Sequence, residues 1–113
     1  MLNRLLRDRR LRALLTLTVV LAAFSSIALA ATKTVAVKDS YFSVKTLTVK
    51  KGTKVTWHWA GSLYHNVKVK SGPVKFHSHT QYYGNYSHTF LRAGTYKLYC
   101  TLHPSMKMTV IVR

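Results

Sequence analysis

The stretch GTYKLYCTLHPSM (residues 94–106) decides the fold class of this chain. It begins at a glycine, and the following residues alternate so that Tyr96, Leu98 and Cys100 share one side. Alternation with a period of two is typical of a β-strand that faces a core on one side. After Cys100 the alternation stops and a loop containing His103 and a proline follows. The stretch therefore predicts a strand that carries a buried cysteine into a polar loop.

The same alternation recurs along the rest of the chain. Valines, leucines and tryptophans alternate with polar residues, and glycine-containing turns separate several of the runs. No segment after residue 32 has the helical period together with capping residues. The pattern predicts an all-β fold, a small antiparallel sandwich or barrel, with a long loop or mobile connection at 71–85. The predicted strands lie at residues 34–38, 46–50, 54–59, 66–70, 86–90, 95–100 and 107–112.

The first thirty residues have the composition of an export signal. Five arginines and Asp8 lie in residues 1–12, and no charged residue follows until Lys33. An Ala-Leu-Ala sequence ending at Ala30 then offers the small residues that a signal peptidase accepts. The N-terminus therefore predicts a signal peptide at residues 1–30.

An uncleaved membrane anchor is the alternative interpretation of this segment, because the uncharged run is about as long as a short spanning helix needs. The pair Arg9-Arg10 occurs in twin-arginine signals, but its surroundings match such a signal poorly, so Sec export is favoured over Tat export. Either route places one domain, residues 31–113, outside the cytoplasm, in the periplasm or secreted to the cell surface.

Composition restricts the chemistry of this domain. The whole chain has 18 Lys and Arg, 2 Asp and no Glu. Removal of residues 1–30 leaves thirteen basic residues against Asp39, a net charge of +12. One carboxylate cannot provide the acid/base pair of a glycosidase or a carboxylate-rich Ca²⁺ or Mg²⁺ site. The single Cys100 excludes an intramolecular disulfide.

A soft donor set follows the cysteine strand. Cys100, His103 and Met106 recur at a spacing of three, and an isolated His65 precedes the predicted strand 66–70. Two His and one Cys in a plane, with a weak axial Met, are the donors of a blue-copper site. Thiolate and thioether hold Cu(I), and imidazole suits copper in both oxidation states. Zinc is less favoured, because this donor set is uncommon for it.

With these residues in place, the chain resembles the cupredoxins, the blue type 1 copper proteins, of the plastocyanin/amicyanin group. The stretch TLTVKKGTKVTW (residues 46–57) resembles the family's strand-turn-strand before the first ligand, and YHNV (residues 64–67) resembles its first-ligand loop. The Cys-x-x-His-x-x-Met spacing is most similar to amicyanin. The resemblance covers about residues 33–112 and implies a Greek-key β-sandwich that holds one type 1 copper ion.

The resemblance also implies roles for particular residues. His65, Cys100, His103 and Met106 are the implied copper ligands. Asn66 is the residue that ties the ligand loops together by hydrogen bonds. His103 is the ligand whose ring reaches the surface, within a small docking area that consists of Leu102, Pro104 and Ser105.

Two alternatives for metal binding stay open at this point. Met108 lies five residues after His103, the plastocyanin interval, and is an alternative axial ligand. Met106 is favoured because Met108 alternates with the valines of the closing strand. His77 and His79 could hold a second metal ion, but without a third donor nearby in sequence a solvated loop is favoured.

The function that the resemblance implies is transfer of single electrons between redox partners through Cu(II)/Cu(I). Such a protein is a carrier and not an enzyme, because the chain has no second metal set at which a substrate would turn over. A copper chaperone or copper buffer outside the cytoplasm is the alternative with the same fold. A third class, a domain that binds polyanions by charge alone, predicts no stoichiometric copper.

The net charge of +12 indicates that the partner carries negative charge. It favours acidic partners through electrostatic steering that weakens with salt. An acidic redox protein is the expected partner, and an anionic membrane or cell-wall surface would also attract the domain. Nucleic acid is not expected, because the chain is exported and has no recognised nucleic-acid motif. We expect a monomer.

Overall fold

A computed structural model describes residues 30–113 of the chain, so residues 1–29 of the predicted signal peptide lie outside the described part. In residues 30–113 no helix is long and apolar enough to cross a membrane. The described residues form eight strands. These are β1 (Thr32–Lys38), β2 (Tyr41–Phe42), β3 (Thr46–Val49), β4 (Thr53–Trp59), β5 (Lys68–Ser71), β6 (Asn85–Phe90), β7 (Gly94–Tyr99) and β8 (Lys107–Val112).

The strands form two four-stranded sheets, in the orders β2-β1-β4-β6 and β3-β8-β7-β5. The predicted all-β sandwich is confirmed, but both sheets are mixed and not purely antiparallel. Strand β1 pairs in parallel with β4, and β3 pairs in parallel with β8. The cause is that the chain crosses to the other sheet between these partners, so no hairpin joins them. The alternation of buried and exposed side chains is the same in parallel and antiparallel pairs, so the sequence pattern could not reveal the direction of pairing.

The inward-facing side chains of both sheets fill one core around Trp57. This side chain is 0% exposed. Its ring centroid lies 5.9 Å from that of Tyr86 and 6.4 Å from that of Phe90. Its Nε1–H donates to the Sδ of Met108 at 3.3 Å. The predicted parity of β4 is confirmed, because its valine and both tryptophans are buried while its lysine and histidine are exposed.

The predicted loop between β5 and β6 contains no strand and is anchored to the sandwich. Phe76 turns toward the core and stacks on His88, with ring centroids 3.7 Å apart and planes 14° apart. Partial burial lowers the pKa of His88 from its ordinary value. Isolated β-bridges pair His77 with Lys68 and Gln81 with His65. The loop therefore supports the segment that leads into β5.

Three connections at one end of the sandwich carry the side chains of the candidate site. Because β1 and β4 run parallel, the turn after β1 and the segment after β4 start at the same end. The third connection, residues 100–106, joins the antiparallel neighbours β7 and β8. Side chains from all three connections meet in the cluster described next.

Candidate metal centre

The connection between β7 and β8 is a compact loop closed by its own backbone. Cys100 N–H donates to the carbonyl of Met106 at 3.1 Å, which joins the two ends of the loop. Within the loop, His103 N–H donates to the Cys100 carbonyl at 3.3 Å and Met106 N–H donates to the His103 carbonyl at 2.8 Å. Two successive turns therefore bring the His103 ring back over Cys100.

Three predicted donors meet at this loop. The Sγ of Cys100 lies 3.8 Å from Nδ1 of His65 and 3.8 Å from Nδ1 of His103. The two imidazole rings have centroids 4.8 Å apart, and the three donor atoms all lie within 4.8 Å of one another. Metal–ligand bonds of about 2.0–2.3 Å would place trigonal donors roughly 3.5–4 Å apart. The two sulfur–nitrogen distances therefore fit one metal ion held by the thiol and both imidazoles.

The three donors differ in their access to solvent. Cys100 and His65 are 0% exposed, whereas His103 is half-buried. Burial protects the single thiol of the chain from oxidants in solution, since reactive cysteines are solvent-accessible. Beside His103, the side chain of Leu102 is 51% exposed. The half-buried imidazole is therefore the donor that a partner molecule can reach.

Both candidate axial residues are buried, but they lie in different surroundings. Met106 ends the loop, and its backbone makes two of the hydrogen bonds that close it. Met108 lies in β8, and its Sδ accepts the hydrogen bond from Trp57. The sulfur of Met108 is therefore part of the core.

Asn66 joins the two segments that carry the donors. Its Oδ1 accepts from the backbone N–H of Thr101 at 2.9 Å. Its Nδ2 donates to Oγ1 of Thr101 at 2.7 Å and to Oγ1 of Thr80 at 2.9 Å. The segment before β5, the loop after β5 and the loop after β7 are thus held together by one buried amide. This network restrains the neighbours of His65 and Cys100.

The structure adds a residue that sequence analysis did not connect with the site. Asp39, in the turn after β1, accepts a hydrogen bond from Nε2 of His65 at 3.1 Å. The same carboxylate accepts from the backbone N–H groups of Ser62 and Leu63 and from Oγ of Ser62. The hydrogen bond from His65, followed by those from the backbone, holds the pKa of Asp39 far below its usual range. Two features of the sequence draw attention to it: Asp39 is the only acidic residue in 31–113, and it directly follows a predicted strand.

The remaining histidines stay outside this cluster. His58 is exposed and its Nδ1 lies 2.6 Å from Oδ1 of Asn85. His77 and His79 are exposed and line a cavity of about 330 Å³ that also touches Asn66. In residues 30–113, one group of three or more His, Cys, Asp or Glu side chains could hold a metal ion. That group consists of His65, Cys100 and His103.

Comparisons with known proteins agree with this donor set. Residues 30–113 match the family described as copper binding proteins, plastocyanin/azurin family. Over 75 residues the chain is 40% identical to amicyanin-alpha of Methylorubrum extorquens, and the match covers 63% of each chain. The match thus spans just under two thirds of the length of that curated relative.

Solved structures show the same relationship. The copper(I) form of an amicyanin variant has a TM-score of 0.64 at 30% identity, covering 79% of this chain and 88% of that one. A purple cupredoxin from Nitrosopumilus maritimus has a TM-score of 0.64 at 24% identity, covering 72% of this chain and 99% of that one. The second likeness concerns the fold alone.

Proposed function

Because the chain belongs to the plastocyanin/azurin family of copper-binding proteins, we propose that it is a type 1 copper protein that carries single electrons between redox partners. The observation that carries the proposal is the position of one buried thiol between two imidazole nitrogens. Each Nδ1 lies 3.8 Å from the Sγ of Cys100. Two imidazoles and one thiolate in a plane are the donors of a blue-copper site.

In this proposal His65, Cys100, His103 and, more weakly, Met106 would hold the copper ion. Bound copper supplies the Cu(II)/Cu(I) couple. The protein holds the donors in one geometry for both oxidation states through the closed loop after β7 and the hydrogen bonds of Asn66. Little rearrangement is then needed when an electron arrives or leaves. Electrons enter and leave through the half-buried His103, since the other imidazole and the thiolate are fully buried.

The proposed redox partner has an acidic surface. The domain without residues 1–30 has a net charge of +12. Four lysines, one each from β5, β7 and β8 and one before β3, line a groove of about 330 Å³ that also touches Tyr99, the neighbour of Cys100. Such a concentration of positive charge beside the metal-binding loop steers acidic molecules toward it, and salt screens the attraction. The four are Lys45, Lys70, Lys97 and Lys107.

We propose that the domain works outside the cytoplasm and acts as a carrier without a reaction of its own. The basic and then apolar N-terminus supports export. The second candidate function is copper delivery or buffering. The exposed pair His77 and His79 beside Asn66 is the feature that would suit it. Reversible redox cycling separates the carrier from the buffer.

The direct test is to express the full-length sequence, purify the protein and add one equivalent of Cu(II). We expect an intense visible band and an electron paramagnetic resonance spectrum with narrow copper hyperfine splitting, because a copper–thiolate bond produces both. Stepwise reduction and reoxidation should bleach and restore the band. Pale colour with ordinary tetragonal copper signals would contradict the proposed site. A blue protein that gives its copper to an acceptor but does not cycle would favour the buffer.

A second prediction concerns the axial ligand. Met106→Leu should shift the reduction potential and the visible spectrum, because the axial donor tunes a blue-copper site. Met108→Leu should leave both unchanged. It should instead lower the free energy of unfolding by about 1–2 kcal/mol, since the buried N–H of Trp57 loses its acceptor. Voltammetry and urea titrations of both variants check this. If the reduction potential shifted in Met108→Leu and not in Met106→Leu, Met108 would be the axial ligand and the assignment of Met106 would be wrong.

A further inference from the structure

The described domain has one carboxylate, and it contacts a donor of the metal centre. Among residues 30–113 the only acidic side chain is that of Asp39. Its Oδ1 lies 3.1 Å from Nε2 of His65, whose other ring nitrogen faces the thiol of Cys100. The His65 imidazole therefore contacts the Asp39 carboxylate through one ring nitrogen and faces the Cys100 thiol with the other.

The position of this carboxylate is built into the fold. Two residues, Asp39 and Ser40, connect the paired ends of β1 and β2, and Ser40 has a φ of 75° in the left-handed region. The segment after β4 wraps around the carboxylate with two backbone N–H groups. A Cβ at Gly61 would overlap its Oδ1, so only a glycine allows this close approach. Sequence-distant elements therefore fix the carboxylate behind His65.

We propose that Asp39 is a positioning residue of the copper site, an inference that rests on the function proposed above. By accepting a hydrogen bond from Nε2–H, its carboxylate selects the tautomer of His65 in which Nδ1 carries a free lone pair. That lone pair faces the Sγ of Cys100. The ring is therefore oriented and in the correct protonation state before the metal arrives.

The same contact places a negative charge behind one ligand. A carboxylate hydrogen-bonded to a ligating imidazole makes the imidazole a stronger donor. A stronger donor and a nearby negative charge both stabilise Cu(II) more than Cu(I), so Asp39 lowers the reduction potential. The effect is moderate, because the carboxylate is 36% exposed and solvent screens part of its charge.

The first test is Asp39→Asn, which keeps the shape of the side chain and removes its charge. We expect the ratio of Cu(II) to Cu(I) affinity to fall about tenfold, which raises the reduction potential by ~59 mV. In the copper-free protein, nitrogen NMR should show a smaller population of the Nε2–H tautomer of His65, because a neutral amide oxygen is a weaker acceptor than a carboxylate. Ser87→Ala is the control. It removes one exposed side-chain hydrogen bond, to Thr56, without touching Asp39 or His65, and both readouts should stay at their wild-type values.

A second variant keeps the test decisive if Asp39→Asn does not fold. Gly61→Ala adds one methyl group that displaces the carboxylate while every ionisable group is retained. Gly61→Ala should raise the reduction potential, as is expected for Asp39→Asn. Folded variants with wild-type potential and wild-type tautomer would overturn the role of Asp39. A wild-type protein without the thiolate band would instead overturn the proposed function, so the two failures are distinguishable.

Discussion

Replacing Cys100 with serine is expected to abolish the intense visible band completely and to convert the copper signal to an ordinary tetragonal one. The chain has one cysteine, so no other thiolate can take its place. The hydroxyl of serine keeps its proton at neutral pH and is a hard donor, whereas the site relies on a soft thiolate. Absorption and electron paramagnetic resonance spectra of the copper-loaded variant measure the loss.

The control for this substitution is Ser105→Ala, an exposed position in the same loop. It should keep the full band, because its side chain makes no hydrogen bond in the described cluster. Far-ultraviolet circular dichroism of Cys100→Ser should match wild type, since the replaced side chain is similar in size. Persistence of the band in the folded serine variant would show that the thiolate of Cys100 is not the donor.

Truncation of Trp57 to alanine is expected to produce the largest loss of stability. The side chain is 0% exposed and contacts aromatic rings from β6 and from the loop after β5. Truncating a buried Phe or Trp to alanine costs about 3–5 kcal/mol, against a total of roughly 5–15 kcal/mol for a domain. The substitution also leaves the sulfur of Met108 beside a cavity. Urea unfolding of the copper-free protein measures the change.

The comparison for this variant is Leu91→Ala, at a leucine that is 77% exposed. Its free energy of unfolding should stay within about 0.5 kcal/mol of wild type. Similar midpoints for Trp57→Ala and Leu91→Ala would show that the ring does not sit in a closely packed core. Both variants retain all proposed ligands, so copper added in excess should recover part of the loss by mass action.

Much of the fold was accessible from the sequence because burial in a sandwich follows a period of two. The predicted inward side of the strand 95–100 is confirmed, because Tyr96 and Leu98 in β7 and Cys100 directly after it are exposed by 1% or less. Strand β2 was missed because two residues are too short to show an alternation. The parallel pairs were missed because strand direction depends on how the chain crosses between sheets, which side-chain patterns do not record.

The site was partly accessible for a related reason. Cys100 and His103 share one loop, so their proximity follows from a spacing of three residues. His65 was selected by its chemistry and by the family resemblance, although it lies 35 residues from Cys100. Asp39 was missed because its contact with His65 spans 26 residues and depends on the parallel pairing of β1 with β4. No local pattern encodes such a contact.

The distribution of these contacts along the chain implies an order of assembly. The loop between β7 and β8 can close as soon as those two neighbours form a hairpin, since the backbone hydrogen bonds within it are all local. His65 reaches it only when β5 pairs with β7, and Asp39 only when the second sheet packs against the first, and both contacts require closing much longer segments of chain. The three-donor cluster together with its carboxylate is therefore complete only in the fully folded domain, and the colour of the copper-loaded protein would serve as an optical report of native tertiary structure.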